Sequence, residues 1–372
     1  MFSTVCDRGF TGNSRHHLLA YFTVGSVKPF KGFTNLLISP LACTRRAMRG
    51  ELEFVLMADV GSATIQEPAR PGWFAVWMQA SRAWTLGMPF MCVSVGTFTA
   101  LYSRAVFSPW KYLLAAVAAM ALQAGANMVN DYYDYVSGTD SPDWQSPENF
   151  GPGLVIQRGF LKPDAVFMGG IVSIVIGIAL GIVLVGLCGW PILWLGLIGV
   201  LGSYFYTAAP LSLAYRGLGD FMVFALMGPG YVLGAYYVQA LSFSWSAFLA
   251  SIPIGLLCSG VLQANNLRDI DNDAAHGKRT MAVIIGRTAA VKELRLSNLL
   301  AYLTVLFGVV TGQFPWLALA VVIIAPHALE EIRLVSDGPD PERHNRAMAL
   351  SGQLQFEFGA VLVAAFLLSH LL

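Results

Sequence analysis

The 372-residue sequence predicts an all-α, polytopic membrane protein of nine transmembrane helices, its N-terminus cytoplasmic and its C-terminus outside. Three observations predict it. Hydrophobic residues make up 56% of the chain and charged residues 12%, with a mean hydropathy of +0.60; an ordinary globular domain has about 25% charged residues. Nine apolar runs of near-spanning length are separated by turn signals. When those runs are taken as spans, 21 of the 23 Lys and Arg residues fall on one side. The composition excludes a disordered chain and argues against a water-soluble enzyme.

A helix crossing the hydrocarbon core needs about 20 mostly apolar residues. Such runs lie near 84–106, 111–133, 165–188, 191–209, 219–240, 245–266, 296–313, 315–333 and 348–371. Ser108-Pro109, Gly189-Trp190-Pro191 and Gly312-Gln313-Phe314-Pro315 break the chain between them. Nine cations precede the first span, and six more, from Arg268 to Arg295, lie between the sixth and seventh. Opposite them stand only Arg104 and Lys111, at the junction of the first and second spans. The positive-inside rule then sets the orientation. Glu357 is the one acid expected within a span. The long polar loops 134–164 and 267–295 carry the residues suited to chemistry, and the cytoplasmic face of the cell (inner) membrane is the expected place of the site.

Residues 1–70 form an N-terminal cytoplasmic extension ahead of a membrane domain at 71–372. Within it, residues 1–56 hold Arg8, Arg15, Arg45, Arg46 and Arg49 and no run long enough to span. This segment reads either as a targeting peptide, Arg-rich and acid-poor, or as a start assigned too early, with Met48 or Met57 the true beginning; the second reading is favoured. The five cysteines are scattered and form no CxxC pair, so neither a disulfide framework nor a zinc site is indicated.

Two polar clusters stand out. The second span ends in Asn130-Asp131-Tyr132-Tyr133-Asp134, followed by Gly138 and Asp140; the sixth ends in Asn265-Asn266-Leu267-Arg268-Asp269-Ile270-Asp271-Asn272-Asp273. Residues four apart share a helix face, so Asn265, Asp269 and Asp273 form one stripe and Asn130 and Asp134 begin another. Gly138 stands at the third position of that stripe, and Asp140 follows after an expected unwinding of the helix. Carboxylates at the end of a membrane helix mark a functional site by default. Hard oxygen ligands suit Mg²⁺, which takes one or two carboxylates together with substrate phosphates. One such cluster reads equally as a wet helix end; two, four spans apart with the same Asn-x-x-x-Asp spacing, favour a metal site. Lys278 and Arg279 after the second cluster, and Arg158 and Lys162 after the first, suit an anion held by both metal and cations, such as a diphosphate. For Arg158 and Lys162 the charge bias of the loop is an equal explanation.

These segments resemble the UbiA superfamily of intramembrane prenyltransferases, and within it the 1,4-dihydroxy-2-naphthoate polyprenyltransferases of menaquinone synthesis. The resemblance runs from about Trp77 to the C-terminus. It rests on SRAWTLGMPF (81–90), NDYYDYVSGTD (130–140), GPGLVIQRGFLKPDAV (151–166), YTAAPLSLAYRGLGD (206–220) and NNLRDIDNDAAHGKRT (265–280). The Gly138/Asp140 variant of the first aspartate motif points to the naphthoate branch, whereas SPDWQSPENF (141–150) is less charged than that branch implies.

The resemblance implies a UbiA-like helical bundle that transfers a polyprenyl group from its diphosphate to an aromatic acid, giving demethylmenaquinone, CO₂ and diphosphate. It implies two Mg²⁺ ions, one per cluster, on Asn130, Asp134 and Asp140 and on Asn265, Asp269 and Asp273; Asp131 and Asp271 point elsewhere on an ideal helix and are second choices. Asp134, Asp269, Asp273, Lys278 and Arg279 are the catalytic candidates, and Arg158, Lys162, Asn130 and Asn265 contact substrate. Tyr204, Tyr206 and Tyr132 or Tyr133 would line a dry cavity for an allylic cation, or serve as an interfacial belt. Gly196, Gly199 and Gly202 would open a groove for the prenyl tail, or serve helix packing. The partners implied are polyprenyl diphosphate, the aromatic acid and the lipid bilayer, with no nucleic acid. Other acceptors (4-hydroxybenzoate or homogentisate) are the alternative within this class. A secondary transporter is the rival outside it, although transporter sites lie near the midplane. A CDP-alcohol phosphotransferase is disfavoured because its single aspartate run is absent.

Overall fold

The computed structural model describes residues 71–139, 154–338 and 340–372. The N-terminal extension to residue 70, Asp140 and the stretch 141–153 lie outside the described residues. Among the described residues the chain is helical throughout, with one isolated bridge pair, Arg216 with Arg279, and no strand.

After α1 (Trp73–Ala80) and a short 3₁₀ turn (Ala83–Leu86) come α2 (Gly87–Tyr102), α3 (Pro109–Val136), α4 (Pro163–Cys188), α5 (Trp190–Phe205) and α6 (Gly219–Ala225). A π-helical stretch (Leu226–Leu233) joins α6 to α7 (Gly234–Ala240). Then follow α8 (Trp245–Ala275), α9 (Met281–Ile285) and α10 (Arg287–Val310), a 3₁₀ run (Trp316–Ile324), α11 (Ala325–Ser336) and α12 (Pro341–Leu371). Local chemistry sets the boundaries. Prolines sit in the first turns of α3 and α4, where the missing N–H costs nothing. The Ser244 hydroxyl accepts from the Ser246 N–H at the start of α8, and the Asp340 carboxylate caps α12.

Among the described residues, seven segments are long and apolar enough to cross a membrane: Ala83–Tyr102, Pro109–Val136, Pro163–Cys188, Gly219–Ala240, Trp245–Ala275, Arg287–Val310 and Glu342–Leu371. The other two expected spans are built differently. At 16 residues, α5 reaches only about 24 Å at 1.5 Å per residue, short of a ~30 Å hydrocarbon core. The run expected near 315–333 is split into an apolar 3₁₀ half and a separate amphipathic helix, α11. The membrane character shows most clearly in α4, whose most apolar window has a mean hydropathy of 2.9 yet is only 22% buried within the bundle. An apolar face of that kind turned outward belongs against lipid. Multi-pass membrane insertion follows.

The core is organised on α8, which packs against α10, α12 and the π-helical stretch; α12 packs on α2, and α3 on α4. The close approach of α8 to the π-helical stretch depends on two glycines. A Cβ on Gly228 would lie 2.6 Å from the Ser251 carbonyl, and one on Gly255 would lie 2.8 Å from that of Phe224. Small residues allow such contact between membrane helices. Pro229 inside the π-helical stretch explains the widened turn, since it cannot supply the next N–H. One expectation is corrected here: Glu357 is not the only acid within the membrane segments. Asp220 in α6 and Glu331 in α11 are buried, at 6% and 1% exposure, because amide and hydroxyl partners on neighbouring helices satisfy them.

Candidate functional site

The two polar stripes meet across one open-mouthed cavity of about 230 Å³. The last turns of α3 and α8 supply its polar end: Asn130, Asp131 and Asp134 from one, Asn265, Asp269 and Asp273 from the other. Trp84, Met88, Val223, Leu226, Met227 and Tyr231 supply much of its apolar wall.

Each helix end is shaped by a glycine. Beyond α8, Gly277 takes the left-handed conformation (φ +73°), the Lys278 N–H donates to the Asp273 carbonyl at 2.8 Å, and the Gly277 N–H donates to that of Ala274 at 3.3 Å. This is the paired closure that satisfies the last carbonyls of a helix, and it folds Lys278 back over the α8 carboxylates. Gly138 (φ +80°) ends α3 in a related way, with its N–H on the Tyr135 carbonyl at 3.2 Å. The helix thus stops where the glycine predicts, and Asp140 falls just past the described residues.

Lys278 joins the two clusters. Its Nζ lies 3.6 Å from Asp134 Oδ2 and 3.6 Å from Asp273 Oδ1, and 5.4 Å from the centre of the Tyr215 ring. The Tyr215 hydroxyl donates to Asp134. Burial, followed by the Asp134 carboxylate, raises the Tyr215 phenol above its ordinary range, so it stays a donor. Asn130 Nδ2 donates to Asp134 Oδ2 at 3.0 Å, and Asn265 Nδ2 to Asp269 Oδ2 at 3.4 Å, the i, i+4 pairs the sequence spacing implied. Arg268 holds Asp269 with both Nε and Nη2 at 2.7 Å and reaches Asn345 on α12 at 3.0 Å. Arg82, which precedes the first 3₁₀ turn, pairs with Asp131. Losing the Tyr215 hydroxyl removes one neutral donor to Asp134 and leaves the packing; Tyr215→Phe is expected to lower kcat/KM about 10-fold, with membrane expression unchanged, in a steady-state assay of turnover.

The residues the sequence singled out are therefore only partly assembled. Asn130, Asp134, Asn265, Asp269, Asp273, Lys278 and Tyr206 line the cavity. Arg279, Arg158 and Lys162 are exposed and outside its lining; the backbone of Arg279 is tied to Tyr215, N–H to carbonyl, at 3.3 Å. Tyr132 and Tyr133 pack on Phe167 with ring centres 4.7 and 6.4 Å away, and Tyr204 belongs to that same cluster behind the cavity wall. Gly202 lines the cavity, whereas Cβ atoms on Gly196 and Gly199 would meet nothing within 4 Å. Asp271 points away as an ideal helix predicts, 90% exposed and 3.3 Å from Arg287 Nη2. Asp131 differs from that expectation: it lines the cavity because Arg82 closes over that side of α3.

Three residues escaped sequence reasoning. Arg82, Tyr215 and Asp220 lie inside SRAWTLGMPF and YTAAPLSLAYRGLGD, the stretches quoted for the resemblance, yet nothing local marks their partners. Asp220 accepts from Asn266 Nδ2 at 3.3 Å and so holds the α8 amide next to Asn265.

The donor set is all oxygen. Among the described residues no group of three or more His, Cys, Asp or Glu is arranged to hold a metal ion. The carboxylates are instead partnered by Lys278, Arg268 and Tyr215. A pair of hard carboxylate clusters at one polar end still fits Mg²⁺, which leaves several of its positions to water and phosphate. The buried Oδ1 of Asn272, at the same cavity and without a hydrogen-bond partner, adds a further oxygen of the right kind.

Fold and site together define a polytopic helical membrane protein built around an acid-lined cavity with an apolar wall. The chain belongs to the UbiA prenyltransferase family, whose model matches residues 71–365. It is 35% identical to a 1,4-dihydroxy-2-naphthoate octaprenyltransferase of Mycobacterium tuberculosis, covering 71% of this chain and 87% of the relative. It is 30% identical to the enzyme of that name from Bacillus subtilis, over 78% and 92%. A UbiA homolog from Archaeoglobus fulgidus, solved bound to GPP and Mg²⁺, shares the fold with a TM-score of 0.52 at 14% identity, over 78% of this chain and 99% of that one. This chain is thus an intramembrane prenyltransferase.

Proposed function

We propose that the protein transfers a polyprenyl group from polyprenyl diphosphate to 1,4-dihydroxy-2-naphthoate, with loss of CO₂ and diphosphate. The observation that carries this is Lys278 lying 3.6 Å from a carboxylate of each cluster, at the polar end of a cavity whose other wall is apolar. That polarity suits a substrate with an anionic head and a hydrocarbon tail. The names of the relatives supply the acceptor.

Asp134 and Asn130 on one side, and Asp269, Asp273 and Asn265 on the other, would hold Mg²⁺, two ions in this reading; Asp140 remains a candidate third ligand of the first cluster. Bound Mg²⁺ supplies positive charge that neutralises the diphosphate as it leaves. Lys278 and Arg268 hold phosphate oxygens directly and add to that neutralisation. Arg279, Arg158 and Lys162, outside the lining, are assigned no such contact. As the allylic C–O bond breaks, the apolar wall keeps water from the developing carbocation, and the ring faces of Tyr206 and Tyr231 stabilise it. The new C–C bond forms at the ring carbon that gives up its carboxylate as CO₂.

The reading extends to topology. α5 and the 3₁₀–α11 segment complete nine crossings, the carboxylate clusters face the cytoplasm across the cell membrane, and the C-terminus lies outside, because this arrangement collects 21 of 23 cations on one side. Purified protein in liposomes, given labelled polyprenyl diphosphate, Mg²⁺ and the naphthoate, is expected to form demethylmenaquinol, recovered as demethylmenaquinone after oxidation in air, and to release CO₂. EDTA should stop the reaction and added Mg²⁺ restore it. Product with 4-hydroxybenzoate alone would reassign the acceptor, and EDTA-resistant turnover would remove the metal.

A further inference from the structure

Away from the cavity, a second polar cluster is buried between α8, α10, α11 and α12. Glu331 on α11 is 1% exposed. It accepts from Asn298 Nδ2 of α10 at 2.7 Å and from the Ser351 hydroxyl of α12. Gln355 follows Ser351 by one turn on the same face and is fully buried, with neither its Oε1 nor its Nε2 hydrogen-bonded. Gln263 of α8 donates to Ser297, the neighbour of Asn298, at 3.4 Å, while its Oε1 is buried without a partner. Asn298 Oδ1 is likewise unpartnered and faces α8, 4.0 Å from where a Cβ on Gly260 would stand. Among the described residues no cationic side chain pairs with Glu331.

Two facts about this cluster need one explanation. An isolated carboxylate buried in a membrane bundle is costly unless its charge is balanced. Buried amide oxygens without donors are rare in folded proteins and point to a bound water or ion. Three such oxygens, from Gln263 of α8, Asn298 of α10 and Gln355 of α12, sit on helices that pack on one another, and Asn298 also donates to the one buried carboxylate. Neutral oxygen donors with a single negative charge are the ligand chemistry of a small hard cation, and one carboxylate balances one positive charge.

We propose that Glu331, Asn298, Gln263, Ser351 and Gln355 form a binding site for a dehydrated monovalent cation, Na⁺ or K⁺, which ties α8 to α10, α11 and α12. The site is separate from the carboxylates of the cavity. It bears on them through α8, because Gln263 lies one turn before Asn266 and Leu267 on the helix that carries Asp269 and Asp273.

The test uses the full chain purified in detergent with every alkali ion replaced by choline at matched ionic strength. Adding NaCl or KCl is expected to raise the Tm saturably by about 5 °C, the scale of shift a bound ligand gives, with one of the two ions effective at lower concentration. Glu331→Gln keeps the shape and removes the charge, and is expected to abolish that response. Should the variant fail to fold, binding of ²²Na⁺ and ⁸⁶Rb⁺ to the unaltered protein decides, with one ion per chain expected. A Tm identical in choline, Na⁺ and K⁺ together with no bound radio-ion would overturn the proposal and leave a protonated carboxyl with ordered water. So would an unchanged ion response in Glu331→Gln.

Discussion

Asp269→Ala is expected to lower prenyl transfer at least about 10³-fold while the protein still inserts and folds, a loss near 4 kcal/mol of transition-state stabilisation. The side chain is 16% exposed, at the cavity, and is gripped by Arg268 through two hydrogen bonds of 2.7 Å. Its removal takes away a carboxylate ligand and also the fork that grips Arg268, which keeps its bonds to Asn345 and Asn265. Asp269→Asn separates the two effects, since it keeps the shape and one oxygen while losing the charge. Measured on equal amounts of membrane-inserted protein, Asp269→Asn should fall between the parent and Asp269→Ala. Activity within a few-fold of the parent in Asp269→Ala would remove the α8 cluster from the mechanism.

Lys278→Ala carries the second large effect. The Lys278 ammonium stands 3.6 Å from Asp134 and 3.6 Å from Asp273, and so bridges the two clusters. Without it, two buried carboxylates face one another without that shared cation, an arrangement that costs several kcal/mol when one partner of a buried charge pair is truncated. The expected result is a rise of about 10²-fold in KM for polyprenyl diphosphate, with a comparable fall in kcat. Lys278→Arg should recover part of both, because the charge returns in a different shape. Extra Mg²⁺ should offset some of the KM defect in Lys278→Ala. A variant with unchanged KM would show that the ammonium is structural and does not meet the diphosphate.

What was legible in the sequence follows the range of the physics involved. Periodicity within one helix identified the stripes Asn130/Asp134 and Asn265/Asp269/Asp273 and set Asp271 apart, and the structure brings both stripes to one cavity. Gly138 correctly ended α3, because a left-handed residue is a local property. Contacts between distant segments were not legible. Arg82 meets Asp131 across 49 positions, and Tyr215 meets Asp134 across 81; no spacing rule reaches that far. The same limit explains the cations. Charge counting treats Arg158, Lys162, Arg279 and Lys278 alike, yet only Lys278 is folded back by the closing turn after α8, while the other three remain exposed. Hydropathy also left the build of two segments unseen, since it registers apolar content and not the shortness of α5 or the break before α11.

The central claim is that both carboxylate clusters act together on one diphosphate through a divalent ion. Its most direct test is calorimetric binding of an unreactive prenyl thiolodiphosphate to the purified protein, with and without Mg²⁺, in the parent and in Asp134→Asn and Asp269→Asn. The account predicts tight binding only with Mg²⁺ in the parent, weakened about 10²-fold or more by either substitution alone. Equal affinity in EDTA, or a substitution in one cluster that leaves the Mg²⁺-dependent affinity intact, would contradict it.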